Sequence, residues 1–381
     1  MKHCLLLFMI FILVLPVSGC MDAVDINKKL IVTTVAIDKV GEEFWIYLEV
    51  ANIQASGSNG SGGGTAPLGS KYYYVKGHGK TFSESRLDVD RQLDLPAYLS
   101  GVWTLIMTER FADEDDDLVS YLYRMRSDES YRKKVLTVTT RSDLDEMFKI
   151  MNRRNFSVGY SIENTVNSLE QQGEAFSRTT SRLLENLSGR YSGVLIPCIG
   201  MRDEETILAG YSVVNNDRVT GYIPIEDCKG LNILKADKAK TFFEVPYQDK
   251  LFTVQTVLGS KEITPYYQNG EISYLFKLKF KATVEYGDNR TPYHLNKDAL
   301  KEMENTLQQI ILEELLGTMD QAKNIYQADY LQMDDDFRIK YPAIFEQLDW
   351  QQVFLATKIY FDIRVDLSVT PSLNYESDEP R

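Results

Sequence analysis

One stretch in the second half of the chain dictates more of the fold than any other. From Phe276 to Glu285, apolar Phe276, Leu278, Phe280, Ala282 and Val284 alternate with Lys277, Lys279, Lys281, Thr283 and Glu285. Successive side chains of a strand point to opposite faces, so this segment is a strand with one side in a core and one in water. That is the habit of an antiparallel sheet. A slip of one residue would turn every apolar group to solvent, so its register is tightly specified. A second run of this kind closes the chain, where Ile359, Phe361, Ile363, Val365, Leu367 and Val369 alternate with Tyr360, Asp362, Arg364, Asp366, Ser368 and Thr370.

Between the two runs, Asn296 to Gln327 repeats Ala299, Met303, Leu307, Ile310, Ile311 and Leu315 at steps of three and four, the period of an amphipathic helix. Such a helix would be ~45 Å long if unbroken, enough to cross a whole sheet. Gly317 is the expected site of any kink. Pro342 and a helical turn through Phe345, Leu348 and Trp350 precede the last strand.

Upstream, Leu30–Ile37 and Phe44–Val50 read as a hairpin around the turn residues Asp38 to Glu42. Residues 55–70 are Gly- and Ser-rich, too small and polar to pack, and are expected to form a flexible loop. They lack the Gly-Lys-Ser/Thr ending of a phosphate cradle. Tyr72 to Val75 resumes as a strand, and the Tyr72-Tyr73-Tyr74 triplet reads either as a stacking platform or as an ordinary strand with one aromatic buried. Thr81 and Glu84 have capping-box spacing ahead of a helix to about Leu93. Strands are expected at Val102–Met107 and Val135–Val138, and helices at Leu118–Arg126, from Ser142 or Asp143 to Met151, and at Ser157–Gln172. The acidic run Asp113–Asp117 lacks the pattern of a calcium loop and suits a helix N-terminus. Residues 173–190 are polar and read as a linker. Strands follow at Thr206–Val214, Arg218–Ile223 and Leu251–Gly259, the first two joined by a turn at residues 215–217.

The first twenty residues have a different purpose. Lys2 is followed by an uncharged apolar run, Leu5 to Val17, which is too short to span a ~30 Å hydrocarbon layer. It ends in Val17-Ser18-Gly19-Cys20, small residues and then a thiol. This is the pattern of an export signal with a lipobox, in which residues 1–19 are removed and Cys20 carries the lipid. Two acyl chains on one thioether make a stable tether, where a single short chain binds only reversibly.

Acidic residues number 55 against 42 basic, a formal net charge of −13, which excludes the basic footprint of a nucleic-acid binder. Cys4 leaves with the signal, so Cys198 and Cys228 are the remaining thiols. Either they pair in an oxidising compartment or they are buried as small hydrophobes. His3, His78 and His294 offer no zinc motif, and neither a nucleophile elbow nor a catalytic-cysteine signature is present. No metal, cofactor or catalytic residue is assigned. A spatial pair of carboxylates, as in a wall hydrolase, leaves no sequence motif.

The order of these features resembles the Ger(x)C spore germination lipoproteins. Ser18-Gly19-Cys20-Met21-Asp22 through Asp25-Ile26-Asn27 is similar to the family's lipobox and the run after it, with Met21 where Trp is usual. Ile31 to Lys39 resembles its first strand ending in Ile-Asp. Gly79-Lys80-Thr81-Phe82-Ser83-Glu84 resembles its approach to the first helix. Tyr98–Glu109 and Gly193–Pro197 stand at family positions, as do Asp329, Pro342, Trp350 and the closing strand. The final strand is followed by Thr370-Pro371 where Gly is usual.

The resemblance implies a non-catalytic C subunit of a nutrient germinant receptor. It would be held to the membrane by the lipid on Cys20, at the outer face of the spore inner membrane, beside the receptor's A and B subunits. An extracytoplasmic solute-binding lipoprotein is the alternative, and would need two lobes with parallel sheets. The expected fold is α+β and multi-domain, with mostly antiparallel sheets, packed helices and one long helix near the C-terminus. The expected division is a signal peptide at 1–19, an N-terminal α+β region at 20–190, a C-terminal α+β domain at 191–371 and a polar tail at 372–381.

Overall fold

The computed structural model describes residues 28–52, 70–113, 117–128, 130–132, 134–188, 193–215, 217–287 and 295–369. The expected signal segment 1–19, Cys20, all of the Gly/Ser-rich segment except Ser70, His294 and the polar tail lie outside these residues.

The first half builds a nine-stranded sheet. Its hairpin is β1 (Leu30–Val40) and β2 (Glu43–Ala51), turning at Gly41, whose φ of +62° lies in the left-handed region. Next come β3 (Tyr72–Gly79), α1 (Phe82–Asp90), β4 (Ala97–Tyr98) and β5 (Thr104–Thr108). Helices α2 (Glu109–Ala112) and α3 (Asp117–Ser127) lead to β6 (Leu136–Thr140). Then α4 (Leu144–Arg153), α5 (Val158–Gln171) and α6 (Thr180–Ser188) precede β7 (Val194–Arg202), β8 (Glu205–Asn215) and β9 (Arg218–Pro224).

The strand order is β3-β2-β1-β5-β6-β7-β8-β9, with the short β4 alongside β1. The outer strands pair antiparallel, as the hairpins dictate, but β1, β5, β6 and β7 run parallel through the centre. Those central strands are buried on both faces: every residue of β5 and of β6 is buried. Their threonines therefore need partners inside. Thr137 and Thr180 share a 2.8 Å hydrogen bond, and Thr139 and Ser212 one of 2.7 Å.

Local signals act as expected at three helix starts. Thr81 Oγ1 accepts from Glu84 N at 3.2 Å, Asp143 Oδ1 from Glu146 N at 2.8 Å, and Ser157 Oγ from Tyr160 N at 3.3 Å. Glu84 returns its carboxylate to the amide of Lys80 rather than that of Thr81.

The segment 173–190, expected to be a linker, is instead built into the fold. Its helix α6 is polar outside, but Leu183 and Leu184 are fully buried. The chain before it runs against β6, with Thr180 N donating to Val135 O at 2.9 Å. Gly173, at φ +75°, comes so close to Lys238 that an added Cβ would lie 2.0 Å from its carbonyl oxygen. This glycine marks a close packing contact, not a hinge. Strands on both sides of residue 190 share the sheet, since β6 pairs with β7.

The second half adds α7 (Lys229–Lys235), β10 (Lys240–Tyr247), β11 (Lys250–Gln268) and β12 (Glu271–Gly287), then the long α8 (Lys297–Asp320). A π-turn at Gln321–Ile325 leads to α9 (Met333–Lys340), α10 (Pro342–Phe345), α11 (Trp350–Ala356) and β13 (Lys358–Val369). The sheet order is β10-β11-β12-β13. Phe276, Leu278, Phe280, Ala282 and Val284 are buried beneath Met303, Leu307, Ile311 and Leu315 of α8. Gly317 sits in regular helix, and the irregularity falls one turn later at the π-turn. On its far side β12 pairs with β13 in parallel, because the intervening helices return the chain to the end of the sheet from which β12 began.

One apolar cluster runs between the two sheets, joining Phe148, Leu208 and Tyr211 to Phe276, Leu278 and Met303. A second lies on the opposite face of the first sheet, under α2 and α3. The two sheets therefore share a core and are not two lobes around an open cleft.

Candidate functional site

The hairpin pairing of β2 with β3 sets Trp45 opposite His78, Tyr47 opposite Lys76 and Glu49 opposite Tyr74. Opposed residues of an antiparallel pair share a face, so these six side chains form one array. Its inner end is sealed. Glu49 is fully buried, and its carboxylate accepts from Thr33 Oγ1, Thr34 Oγ1 and Ser157 Oγ at 2.7 Å each and from Val158 N at 2.9 Å. Burial pushes its pKa up, against the pull of those hydrogen bonds.

In the middle, Tyr47 and Tyr74 stack on Phe148 of α4, with centroids 5.9 and 5.2 Å away. Tyr74 Oη donates to Asp145 at 2.8 Å, and Lys76 Nζ pairs with the same carboxylate. Burial works against that charge, but the bonds from Lys76 and Tyr74 hold Asp145 below its ordinary pKa.

The outer end is open. Lys76 Nζ lies 5.1 Å from the Trp45 ring centroid. His78 stacks on the same indole at 4.8 Å, and its Nδ1 is 3.0 Å from Glu43. Trp45 Nε1 is buried and has no hydrogen-bond partner among the described residues. A cation, an imidazole and an indole beside a carboxylate make a face suited to a protein partner, where aromatic and cationic anchors carry binding energy.

The Tyr72–Tyr74 triplet is not a three-ring platform. Tyr73 faces the opposite core from Tyr74. The exposed array comes instead from residues that the register of two separated strands brings together. Its sequence signal was Trp45 in one strand and His78 in the next, legible only once the pairing is known.

The other candidates fall as follows. Cys198 and Cys228 are both free and buried. Burial pushes their thiols up to about 11 and about 12, so neither is an active nucleophile at neutral pH. Among the described residues no three His, Cys, Asp or Glu side chains are placed to hold a metal ion. None of the described helices is long and apolar enough to cross a membrane. Arg86, Arg124 and Tyr131 border a cleft of about 180 Å³, with Met125 in its wall. Arg86 Nε is engaged by Asp90 at 2.9 Å.

A second buried ionisable group joins the turn after α8 to helices α9 and α11. Asp329, fully buried, accepts from Met333 N at 3.1 Å, Asp334 N at 3.0 Å and Trp350 Nε1 at 2.8 Å. Beside it, Asp334 is 1 % exposed and its Oδ1 has no hydrogen-bond partner among the described residues. Burial, then the charge of Asp329, lifts the Asp334 pKa to about 8. Burial lowers that of Lys235 to about 7.

The folded protein thus keeps a proton on Asp334 that the unfolded chain has already shed. Stability should fall as pH rises from about 4 to about 8, by at most about 1.4 kcal/mol per unit. Lys235 acts in the opposite sense: the unfolded chain holds a proton that the fold releases, so stability rises with pH above about 7. The two cancel between about 7 and 8. Urea midpoints at pH 5, 6 and 7 should decline for the wild type, and Asp334→Asn should flatten the decline. An equal slope in both proteins would assign it to another group.

The chain is similar to known proteins over nearly its whole length. Residues 22–201 match the profile of the spore germination protein N-terminal domain. Residues 209–372 match that of the spore germination B3/GerAC-like C-terminal domain. Spore germination protein B3 of Bacillus subtilis (strain 168) is 22% identical over 378 residues, covering 93% of this chain and 94% of that one. The putative spore germination protein YfkR of the same organism is 21% identical over 369 residues, covering 94% and 93%. The crystal structure of the GerBC protein superposes with a TM-score of 0.53 at 14% identity, covering 87% of this chain and 96% of that one.

Proposed function

The chain belongs to the Ger(x)C family of spore germination proteins and is not an enzyme, and from that premise we propose that it is the lipid-anchored C subunit of a nutrient germinant receptor. The observation that carries this reading is the pair of family matches, which together run from residue 22 to residue 372. The lipobox ending at Cys20 supports the anchor, since a diacylated thiol supplies the two chains that stable membrane residence needs. In this reading the acidic ectodomain stands off an anionic lipid surface, held by its lipid and not by charge. The Trp45–Lys76–His78 face offers a docking surface for the receptor's A and B subunits.

The test uses spores. Optical-density loss after nutrient addition is compared among wild type, a deletion, Cys20→Ala and Lys76→Glu, with the protein followed in membrane and soluble fractions. Cys20→Ala is expected to leave the membrane fraction and to slow the response. Lys76→Glu is expected to stay in the membrane fraction but to recover less of the A and B subunits on co-purification. Retention of Cys20→Ala in the membrane would sink the anchor, and undiminished co-purification of Lys76→Glu would sink the docking face.

A further inference from the structure

The two sheets have four edge strands, and three of them are closed. Along β3 lies α1: Gln92 Nε2 donates to Lys76 O at 2.8 Å, and Asp88 accepts from His78 N at 3.1 Å. Against β9 the Tyr326 ring covers Gly221, and its hydroxyl donates to Tyr222 O at 2.8 Å. Pro246 interrupts the donors of β10, and Lys240 N at its start donates to Gly173 O at 2.9 Å. β13 has none of these protections. It is 12 residues long, contains no proline and pairs with β12 without a register shift. Among the described residues, no hydrogen bond reaches the backbone on its outer edge. A long, regular open edge is a template for another strand.

The solvent face of the sheet indicates which strand fits. One row of cross-strand neighbours reads Glu262, Lys277, Asp362, and the first two are 3.5 Å apart. In the adjacent row Lys279 lies beside Arg364, two like charges. Within one chain Asp362 and Arg364 already pair with each other along β13 at 3.3 Å, so a single anion serves both rows. A further strand carrying a cation beside Asp362 and an anion beside Arg364 would complete both rows, and β13 itself carries both.

We infer that the outer edge of β13 pairs antiparallel with β13 of a second copy of this chain, in a register centred on Ile363. There Arg364 of the second copy stands opposite Asp362, and its Asp362 opposite Arg364, so the two-fold axis makes the ion pair twice. On the inner face Ile363 meets Ile363, Phe361 meets Val365 and Ile359 meets Leu367. Ile359, Phe361 and Ile363 are only half-buried in the single chain, and the partner strand would cover them. Tyr360, 55% exposed, comes opposite Asp366 and can donate to it. Centring on Arg364 would oppose Arg364 to itself and Asp362 to Asp366, which like-charge repulsion disfavours. Centring on Val365 restores one kind of ion pair but leaves the first residues of the strand unpaired. This inference does not depend on which receptor subunits the chain meets.

The test is sedimentation equilibrium of the full-length protein in detergent across about 1–100 µM. The wild type is expected to shift from the mass of one chain to twice that mass. Arg364→Asp, at an exposed position, and Asp362→Arg, at a half-buried one, should each weaken association about tenfold, because an attraction becomes a repulsion at two symmetric places. The double variant Asp362→Arg/Arg364→Asp should return to within about threefold of wild type. A monomer at every concentration would overturn the inference. So would single variants that associate as tightly as wild type. Rescue of Arg364→Asp by Asp366→Arg but not by Asp362→Arg would overturn the Ile363 register.

Discussion

Replacing Asp329 with alanine is expected to lower the free energy of unfolding by about 3–5 kcal/mol, the range for breaking a buried charged group away from its partners. The carboxylate collects the Met333 and Asp334 amides and the Trp350 indole N–H. Each donor left buried without an acceptor costs about 1–3 kcal/mol. These donors cannot reverse their role, since an N–H has no lone pair to offer. Asp329→Asn should therefore recover little: its amide nitrogen would point hydrogens at a fixed N–H. Denaturant midpoints of the two variants should lie close together and well below wild type. An asparagine variant within about 1 kcal/mol of wild type would contradict this account.

Glu49→Ala should cost a similar amount, about 3–5 kcal/mol, for a related reason. Its conservative variant should behave differently. Three of the donors around Glu49 are the hydroxyls of Thr33, Thr34 and Ser157. A hydroxyl rotates and accepts as readily as it donates. Glu49→Gln can then keep most of the network, and a loss of about 1–2 kcal/mol is expected. The contrast between a tolerant Gln at 49 and an intolerant Asn at 329 is the measurement that separates hydroxyl-lined from amide-lined burial. Equal losses at the two sites would contradict it.

Neither carboxylate was legible as buried in the sequence. Glu49 follows the apolar run Phe44 to Leu48 and reads as the point where the strand turns polar, and what buries it is the start of α5, more than a hundred residues further on. Asp329 appeared only as a position shared with the Ger(x)C pattern. The second sheet was far more legible. Alternation in β12 and β13 and the three-and-four spacing of α8 are local signals, and each names its own buried face. The parallel centre of the first sheet was hidden because β5 and β6 are five residues long and threonine-rich. Their hydroxyls look like surface in a sequence, yet bond inside to other elements, Thr137 with Thr180, Thr139 with Ser212 and Thr104 to the Gly159 carbonyl. Helix α6 was hidden because three leucines, Leu183, Leu184 and Leu187, are a weak apolar stripe, and the polar residues around them resemble a linker. The Trp45–His78 array was invisible for a different reason: strand existence can be read locally, but the pairing register across a long connection cannot.

The parallel docking of β13 also sets an order of events in folding. Its partners are remote in the chain: Lys358 bonds Glu271 across 87 positions. Closing so long a loop carries an entropic cost that no earlier local contact offsets, so β13 should be among the last elements to dock. Until it does, the β12 edge of the second sheet stays open while β10, β11 and α8 are already free to collapse. The folding chain is therefore most exposed to wrong strand partners just before β13 docks.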